Sequence, residues 1–357
     1  MIKKECFTAE WIEQVSSELH YNDKNLIKKV IRALSLLEML VKAGCPLVFK
    51  GGTALMLILG KSAHRLSIDI DLICPPGTNI EDYLKSFADF GFINLELVER
   101  KQRDDADIPK SHSKFFYQIA YRNDTDAQSY ILLDVLYEDI HYFRTQQIAI
   151  NCPFIRLEGK PLMVTVPSAE DILGDKLTAF APNTTGIPYY RNGRSCSMEI
   201  AKQLYDVGRL FENVSDLQIT KEAFRKIAVV ELSYRSFGTD IGQVFNDIRQ
   251  TALCISTRGK AGEGDFDLIQ DGIIRVKSFM YKQRYLIDHA IIDAARAAYL
   301  ATLIEKGINE IESYSNNPAD IKDMVIRPSL PNKLNKLRSN LPEAYYYWAK
   351  TSELLEA

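Results

Sequence analysis

Residues 49–73 read FKGGTALMLILGKSAHRLSIDIDLI: a glycine pair and a threonine lead an apolar run, and two aspartates one residue apart then interrupt a string of isoleucines. On a β-strand, side chains two apart share a face. A strand over residues 67–73 would therefore set Asp69 and Asp71 side by side while Ile68, Ile70 and Leu72 point the other way, into a core. Two carboxylates held that close repel one another unless a cation stands with them.

The residues ahead of that strand suit the same ligand from the other side. ALMLILG, residues 54–60, reads as a buried helix. Glycines at a helix start let the backbone approach a phosphate, and the helix amino terminus offers free N–H groups and positive dipole. Gly51, Gly52 and Thr53, with its hydroxyl, thus form a cradle for a triphosphate. Asp69 and Asp71 form a seat for Mg²⁺, a hard cation that takes carboxylate and phosphate oxygens together. Neither a GGT nor a DxD is specific alone; their order, on a helix start and an apolar strand, carries the reading. Two-metal phosphoryl or nucleotidyl transfer needs a further carboxylate near the attacking oxygen. The run SYILLDVLYED, residues 129–139, supplies Asp134 inside an apolar strand, whereas Glu138 and Asp139 lie at its polar end. The alternative reading of Asp134 is an edge or capping residue.

At this point the motifs carry a resemblance. GGT, then RLSIDIDL, then a later strand aspartate resemble the DNA polymerase β type of nucleotidyltransferase fold. FKGGTAL (49–55), HRLSIDIDL (64–72), DILGDKLTAF (171–180) and KQLYDVGRL (202–210) are similar, in that order, to the AbiEii/AbiGii toxin family. These are nucleotidyltransferase-like toxins of bacterial toxin–antitoxin and phage-abortive systems. The resemblance implies that Ser67 and Asp69 matter for activity, that Asp71 is a second metal ligand, and that Lys50, Lys176 and Asp206 occupy family positions. Lys176 would neutralise phosphate charge as pyrophosphate leaves, and Asp206 would orient it. Relatives often carry an aspartate just before LYD, where this chain has Gln203. The resemblance also implies an NTP substrate, tRNA as acceptor and a cognate antitoxin as partner. Each charge has a plainer role as well: Lys50 as a strand end, Lys176 as a solvated helix lysine, Asp206 as the partner of Arg209 or Lys202 on an exposed face. Arg65 suits either an aspartate or a phosphate.

The 357 residues exceed the usual size of a single core, so two domains are expected. The fold class expected is α+β: a polymerase β-type nucleotidyltransferase sheet domain with amino-terminal helices over residues 1–166, then a helical domain over 167–357. Residues 25–44 show apolar positions at helical spacing that stop at Gly44. Residues 47–50 read as a strand, 80–100 as a helix and a strand, and 115–122 (FFYQIAYR) and 129–138 as two more strands. Beyond Pro167, helices are expected at 169–181, 199–212, 221–231, 239–253, 267–283 and 288–313.

A net charge of -3 excludes a globally basic nucleic-acid coat, so any RNA contact must be local. The six cysteines show no CxxC or Cys/His pairing, which argues for reduced structural thiols and against zinc. MIKKECFTAEW has no apolar core behind its lysines and no run reaches membrane length, so no membrane partner is expected and the cytoplasm is the expected address. Two surfaces could meet partners. One is IPYYRNGRSCS (187–197), with Tyr189, Tyr190, Arg191 and Arg194, able to stack on bases and hold phosphates or to be a solvated loop. The other is the carboxy-terminal segment 327–350, with Lys333, Lys336, Arg338, Lys350 and four aromatics, either a partner dock or a packed terminal helix. The activity expected is Mg²⁺-dependent transfer of NMP from an NTP to an acceptor hydroxyl. The alternatives are transfer to a protein or small molecule, and a catalytically silent nucleotide-binding module.

Overall fold

Two amino-terminal helices, α1 (Ala9–Glu18) and α2 (Lys24–Lys42), begin on side-chain caps: Thr8 accepts from the Trp11 N–H and Asp23 from the Leu26 N–H. Gly44, at φ +76°, turns the chain out of α2 toward the first strand. A computed structural model of the chain describes residues 1–98, 110–118, 128–214, 216–233 and 240–357. Met1–Ser168 and Ser278–Arg284 form one unit, and Ala169–Lys277 with Tyr285–Ala357 form a second.

In the first unit, β1 (Val48–Lys50) runs into α3 (Gly51–Leu59) and returns as β2 (Ile70–Cys74). β3 (Asn94–Val98), β4 (Lys110–Gln118) and β5 (Gln128–Tyr137) complete a five-stranded sheet in the order β1-β2-β5-β4-β3. β2 and β5 are parallel and the other pairs antiparallel. β6 (Thr145–Ala149) and β7 (Met163–Pro167) form a separate antiparallel pair. Register explains the core. Phe49, Leu72 and Val135 lie in one cross-strand row and Ile70 and Leu133 in another, all buried together with Leu34 and Leu37 of α2.

Several sequence expectations are corrected in this unit. The strand begins at Ile70, not Ser67: its pairing with β5 starts at Ile70 opposite Leu133 and its pairing with β1 at Asp71 opposite Lys50, so residues 67–69 stand outside both ladders. Ile68 is accordingly half-buried at the rim of the core. The helix expected after residue 80 is reduced to two 3₁₀ turns, Ile80–Tyr83 and Phe87–Phe90, the second closed by Gly91 at φ +78°. Of the FFYQIAYR strand, residues 119–122 lie outside the described residues, as do residues 99 and 100.

The second unit opens with α4 (Ala169–Ala179), followed by a hairpin of β8 (Tyr190–Arg191) and β9 (Arg194–Ser195). Then come α5 (Ser197–Phe211), α6 (Gln218–Ser233), α7 (Ile241–Ser256), α8 (Phe266–Val276), α9 (Ile287–Lys306), α10 (Leu337–Asn340) and α11 (Pro342–Glu356). Helix α9 is buried along Ala290, Ala294, Ala297, Ala298 and Ala301, small side chains that let neighbouring helices come close. Two helices are shorter than expected. The one written over 267–283 stops at Val276, since residues 278–284 join the first unit. The one over 288–313 stops at Lys306, where Gly307 takes φ +75°. The carboxy-terminal aromatics are core: Tyr345, Tyr347 and Trp348 are buried, and the Trp348 Nε1–H donates to Ser256 Oγ at 3.0 Å. Arg338 donates to the Ile321 carbonyl and Lys350 pairs with Glu312, so this segment is a packed terminal helix. Among the described residues no helix is long and apolar enough to cross a membrane. All six cysteines are buried thiols.

Asp247 on α7 ties down the segment that leads to the hairpin. Its carboxylate accepts from the Asn183 N–H at 2.9 Å, Asn183 Nδ2 at 2.8 Å, Thr184 Oγ1 at 2.8 Å and Thr251 Oγ1 at 3.3 Å. Burial nevertheless pushes its carboxyl above the ordinary range. Asp247→Ala leaves the buried Thr251 hydroxyl and three part-buried donors without their acceptor and is expected to lower stability by about 1–3 kcal/mol, read from urea unfolding. A loss within measurement error would mean that water replaces the carboxylate at no cost.

Candidate active site

The site is built where β1, α3 and β2 meet. Lys50 is the last residue of β1, and the chain enters α3 through Gly51 at φ +75°, a conformation that disfavours any residue with a Cβ. The approach is close. A Cβ on Gly51 would sit 2.1 Å from Asp71 Oδ2, and one on Gly52 would sit 2.7 Å from Ser67 Oγ and 2.9 Å from Arg65 Nη2. Neither glycine can carry a side chain without displacing a polar group of the site. Lys50 places no side-chain cap on α3, so its first N–H groups are those of an uncapped helix start beside a hydroxyl and a guanidinium. Thr53 is buried, and its hydroxyl donates to the Asp69 carbonyl at 2.7 Å, which locks the loop before β2 onto the helix.

Arg65 is buried, donating from Nη1 to the Leu66 carbonyl at 3.1 Å. The segment 278–284 holds this loop in place: the Leu66 N–H donates to the Phe279 carbonyl at 2.8 Å, the Tyr281 N–H to the His64 carbonyl at 2.9 Å, and Arg65 bridges Met280. Tyr281 packs edge-on against Phe154 within the same core. This strap was missed because its apolar spacing continues that of α8. The break at Met280–Gln283, where Lys282 adopts φ +63°, carries no proline or glycine to announce it.

Across the sheet, Lys50, Asp71 and Asp134 occupy one row, Asp71 paired with Lys50 on the antiparallel side and with Asp134 on the parallel side. Cross-strand neighbours share a face, so the two half-buried carboxylates stand next to each other with the lysine beyond. Asp69 precedes the strand by one residue. Among the described residues no three acidic, histidine or cysteine side chains already converge as a metal-holding group. The in-register pair Asp71 and Asp134 fits a cation that binds one or two carboxylates and takes its remaining oxygens from substrate phosphates and water, which is the habit of Mg²⁺. Glu138 lies apart from that row, its N–H donating to the Cys74 carbonyl and its carboxylate 3.8 Å from His141 Nε2. Lys50, Gly51, Gly52, Thr53, Arg65, Ser67, Asp71 and Asp134 are thus neighbours in the first unit, and Asp69 is tied to them through its carbonyl.

Lys176 and Asp206 form a grouping of their own in the helical unit. Lys176 Nζ on α4 lies 3.1 Å from Asp206 Oδ2 on α5, with side-chain exposures of 9% and 2%. The solvated-lysine reading of Lys176 and the exposed-face reading of Asp206 are therefore both corrected. Arg209 points instead to Glu212 and Asp293. Gln203, the departure from the family pattern, has its Oε1 enclosed without a hydrogen-bond donor.

Comparison with known proteins adds the family. The chain matches the model described as nucleotidyl transferase AbiEii toxin, type IV toxin–antitoxin system, over residues 34–319. Among solved structures, JHP933 from Helicobacter pylori is 16% identical, with 80% of this chain and 92% of that one covered at a TM-score of 0.40. MenT4, a nucleotidyltransferase toxin from Mycobacterium tuberculosis, is 11% identical, with 82% and 89% covered at a TM-score of 0.42. No curated protein sequence matches the chain. The family match takes in both the strand carboxylates and the Lys176–Asp206 pair, and it spans well over half the chain. The protein belongs to the AbiEii family of nucleotidyltransferase toxins and is itself a nucleotidyltransferase.

Proposed function

We propose that the protein transfers NMP from an NTP to a hydroxyl of tRNA, with Mg²⁺ as cofactor, and that it acts in the cytoplasm as a toxin restrained by a cognate antitoxin. The observation that carries the reading is the row Lys50–Asp71–Asp134 set against the uncapped, glycine-only start of α3. One side offers N–H groups, Ser67 and Arg65 for phosphate oxygens, the Thr53 hydroxyl being spent on the Asp69 carbonyl, and the other offers carboxylates for a cation. In the reaction the acceptor oxygen bonds to the α-phosphorus as the bond from that phosphorus to the pyrophosphate oxygen breaks. The acceptor proton leaves toward Asp134, which completes the site, while Asp69 and Asp71 are the other carboxylates proposed to hold metal. Bound Mg²⁺ supplies positive charge to the phosphate and attacking oxygens. The buried Lys176–Asp206 pair is proposed to be required for activity, Asp206 fixing the ammonium group that the resemblance assigns to phosphate charge. Incubation with each labelled NTP, Mg²⁺ and total tRNA tests the whole. Label in the tRNA is expected, and label in protein or small molecules alone overturns the acceptor.

Nucleotide affinity should depend on metal because Asp69 and Asp71, beside the start of α3, face the phosphates as like charges without it. Calorimetry is expected to show NTP binding lost in EDTA and strongly weakened in Asp69→Asn. Equal binding with and without Mg²⁺ contradicts the assignment.

Asp134 stands on a different strand from the other two and is proposed to serve the acceptor more than the triphosphate. Asp134→Asn keeps shape and removes charge, so transfer is expected to fall by at least about a hundredfold while NTP binding weakens far less than in Asp69→Asn. Transfer at the wild-type rate would return Asp134 to the role of a structural strand residue.

Growth supplies an independent reading. Induced expression without the partner is expected to arrest a bacterial host, and Asp69→Ala or Lys176→Ala to relieve the arrest at equal levels of folded protein. Equal toxicity from all three would favour an interaction module over an enzyme.

A further inference from the structure

The segment IPYYRNGRSCS folds as a hairpin rather than an irregular loop. Tyr190 pairs with Ser195 and Arg191 with Arg194. Between them Asn192 and Gly193 take φ +52° and +73°, the left-handed pair that a two-residue type I′ turn requires. The base is fastened: the Cys196 N–H donates to the Tyr189 carbonyl at 2.9 Å, Ser195 and Ser197 join their hydroxyls at 2.9 Å, and Tyr189 turns inward, its hydroxyl occupying the space a side chain on Gly264 would need. The tip is open. Tyr190 is 57% exposed, and Arg191, Asn192, Gly193 and Arg194 are all exposed.

That tip is an unfavourable surface by itself. Like charges directly opposite across a strand pair destabilise it, and here the two residues flanking the turn are both arginines. Among the described residues neither arginine makes an ion pair, and from Lys176 to Met198 the sequence contains no acidic residue. On the opposite face of the ribbon, one residue along, stands a tyrosine ring with most of its area in water. A strand of phosphates relieves the repulsion through charge-assisted, bidentate contacts with the guanidinium groups, and an unpaired base covers the ring. An acidic protein surface would answer the arginines but would leave the tyrosine face without a planar partner. Double-stranded RNA stacks its bases internally and offers none to the ring.

We propose that the β8–β9 tip is a docking point for a single-stranded segment of the acceptor RNA that passes round the tip, with Arg191 and Arg194 on its phosphates at one face and Tyr190 stacked on a base at the other. The proposal rests on the reading of RNA as the acceptor, and it adds the contact that receives it. The probe is a fluorescein-labelled ten-nucleotide single-stranded RNA of mixed sequence, titrated with the full chain by fluorescence anisotropy. The Arg191→Ala/Arg194→Ala double variant is expected to bind at least about tenfold more weakly at low salt. Its plot of log affinity against log salt should be flatter by about 1.4, about 0.7 for each lost phosphate contact. Tyr190→Ala is expected to lose about tenfold and Tyr190→Phe to keep the affinity, since the ring face is what stacks. In the labelling assay the double variant should show a raised KM for total tRNA with kcat retained.

Unchanged affinity and salt slope in the double variant overturn the proposal. It also falls if polyglutamate competes for the tip as well as RNA does while Tyr190→Ala binds RNA like the wild type, which marks a general anion site. The two readings can fail separately. Wild type that labels tRNA while the hairpin variants bind and react normally removes the hairpin contact and leaves the acceptor standing. RNA binding that depends on the hairpin, with label found only in protein, removes the acceptor and leaves the contact.

Discussion

Everything in the candidate site depends on the register between β2 and its two neighbours. Apolar rows on either side of the charged row leave little choice: Phe49, Leu72 and Val135 form one, Ile70 and Leu133 the other, and all five are buried. A slip of one residue would turn these side chains to the opposite face and bring Lys50, Asp71 and Asp134 into the core. Burying each of the five is worth about 1.5–3 kcal/mol. Two like charges about 5 Å apart cost about 3 kcal/mol at an effective dielectric constant of about 20. The hydrophobic rows therefore outweigh the repulsion they create. Asp71 and Asp134 stand together because the core holds them there, with Lys50 completing the row.

The same logic explains how much could be read in advance. Alternation of apolar and acidic residues at 68–72 and a single aspartate inside the apolar run 131–135 mark two strands that carry carboxylates, and glycines 51 and 52 mark the helix start, since each depends only on local spacing. Which strand lies beside β2, and in what register, depends on residues more than sixty positions away and leaves no local trace. The IDIDLI strand is laddered only from Ile70, where its pairing with Leu133 of β5 begins, and that start likewise depends on distant residues. The strap at 278–284 and the hairpin at 190–195 failed differently. The strap has helix-like composition, and tertiary pairing with residues 64–66 overrides it. The hairpin was legible in principle, because Asn-Gly between short β-prone runs is a strong turn signal.

The helical unit holds charge in its interior on a scale that stability does not require. Arg296 is buried among Asp293, Glu212 and Glu343, with Arg209 on the far side of Asp293. Gly208 is needed there because a Cβ would land 2.0 Å from Asp293 Oδ1. Burial pushes the Asp293 carboxyl upward even with two guanidinium groups beside it. Buried ion pairs seldom stabilise a fold more than well-packed apolar residues of the same volume would, yet losing one partner is costly. Lys176 and Asp206 are subject to the same argument. Their ammonium and carboxylate lie 3.1 Å apart, so removing either alone would leave the other's charge buried.

Charge at the hairpin obeys a different balance from charge in the interior. The whole chain carries a formal net charge of -3, so long-range attraction does not draw a polyanion to it indiscriminately. On such a chain a polyanion would be drawn only where basic side chains stand locally in excess, as at the proposed β8–β9 contact. Screening sharpens the contrast, since at physiological salt the Debye length is about 8 Å and only nearby charges are felt. For exposed side chains, position decides more than total: the same two arginines on an acidic helix face would pair with neighbours, as Arg258 does with Asp288, and recognise nothing.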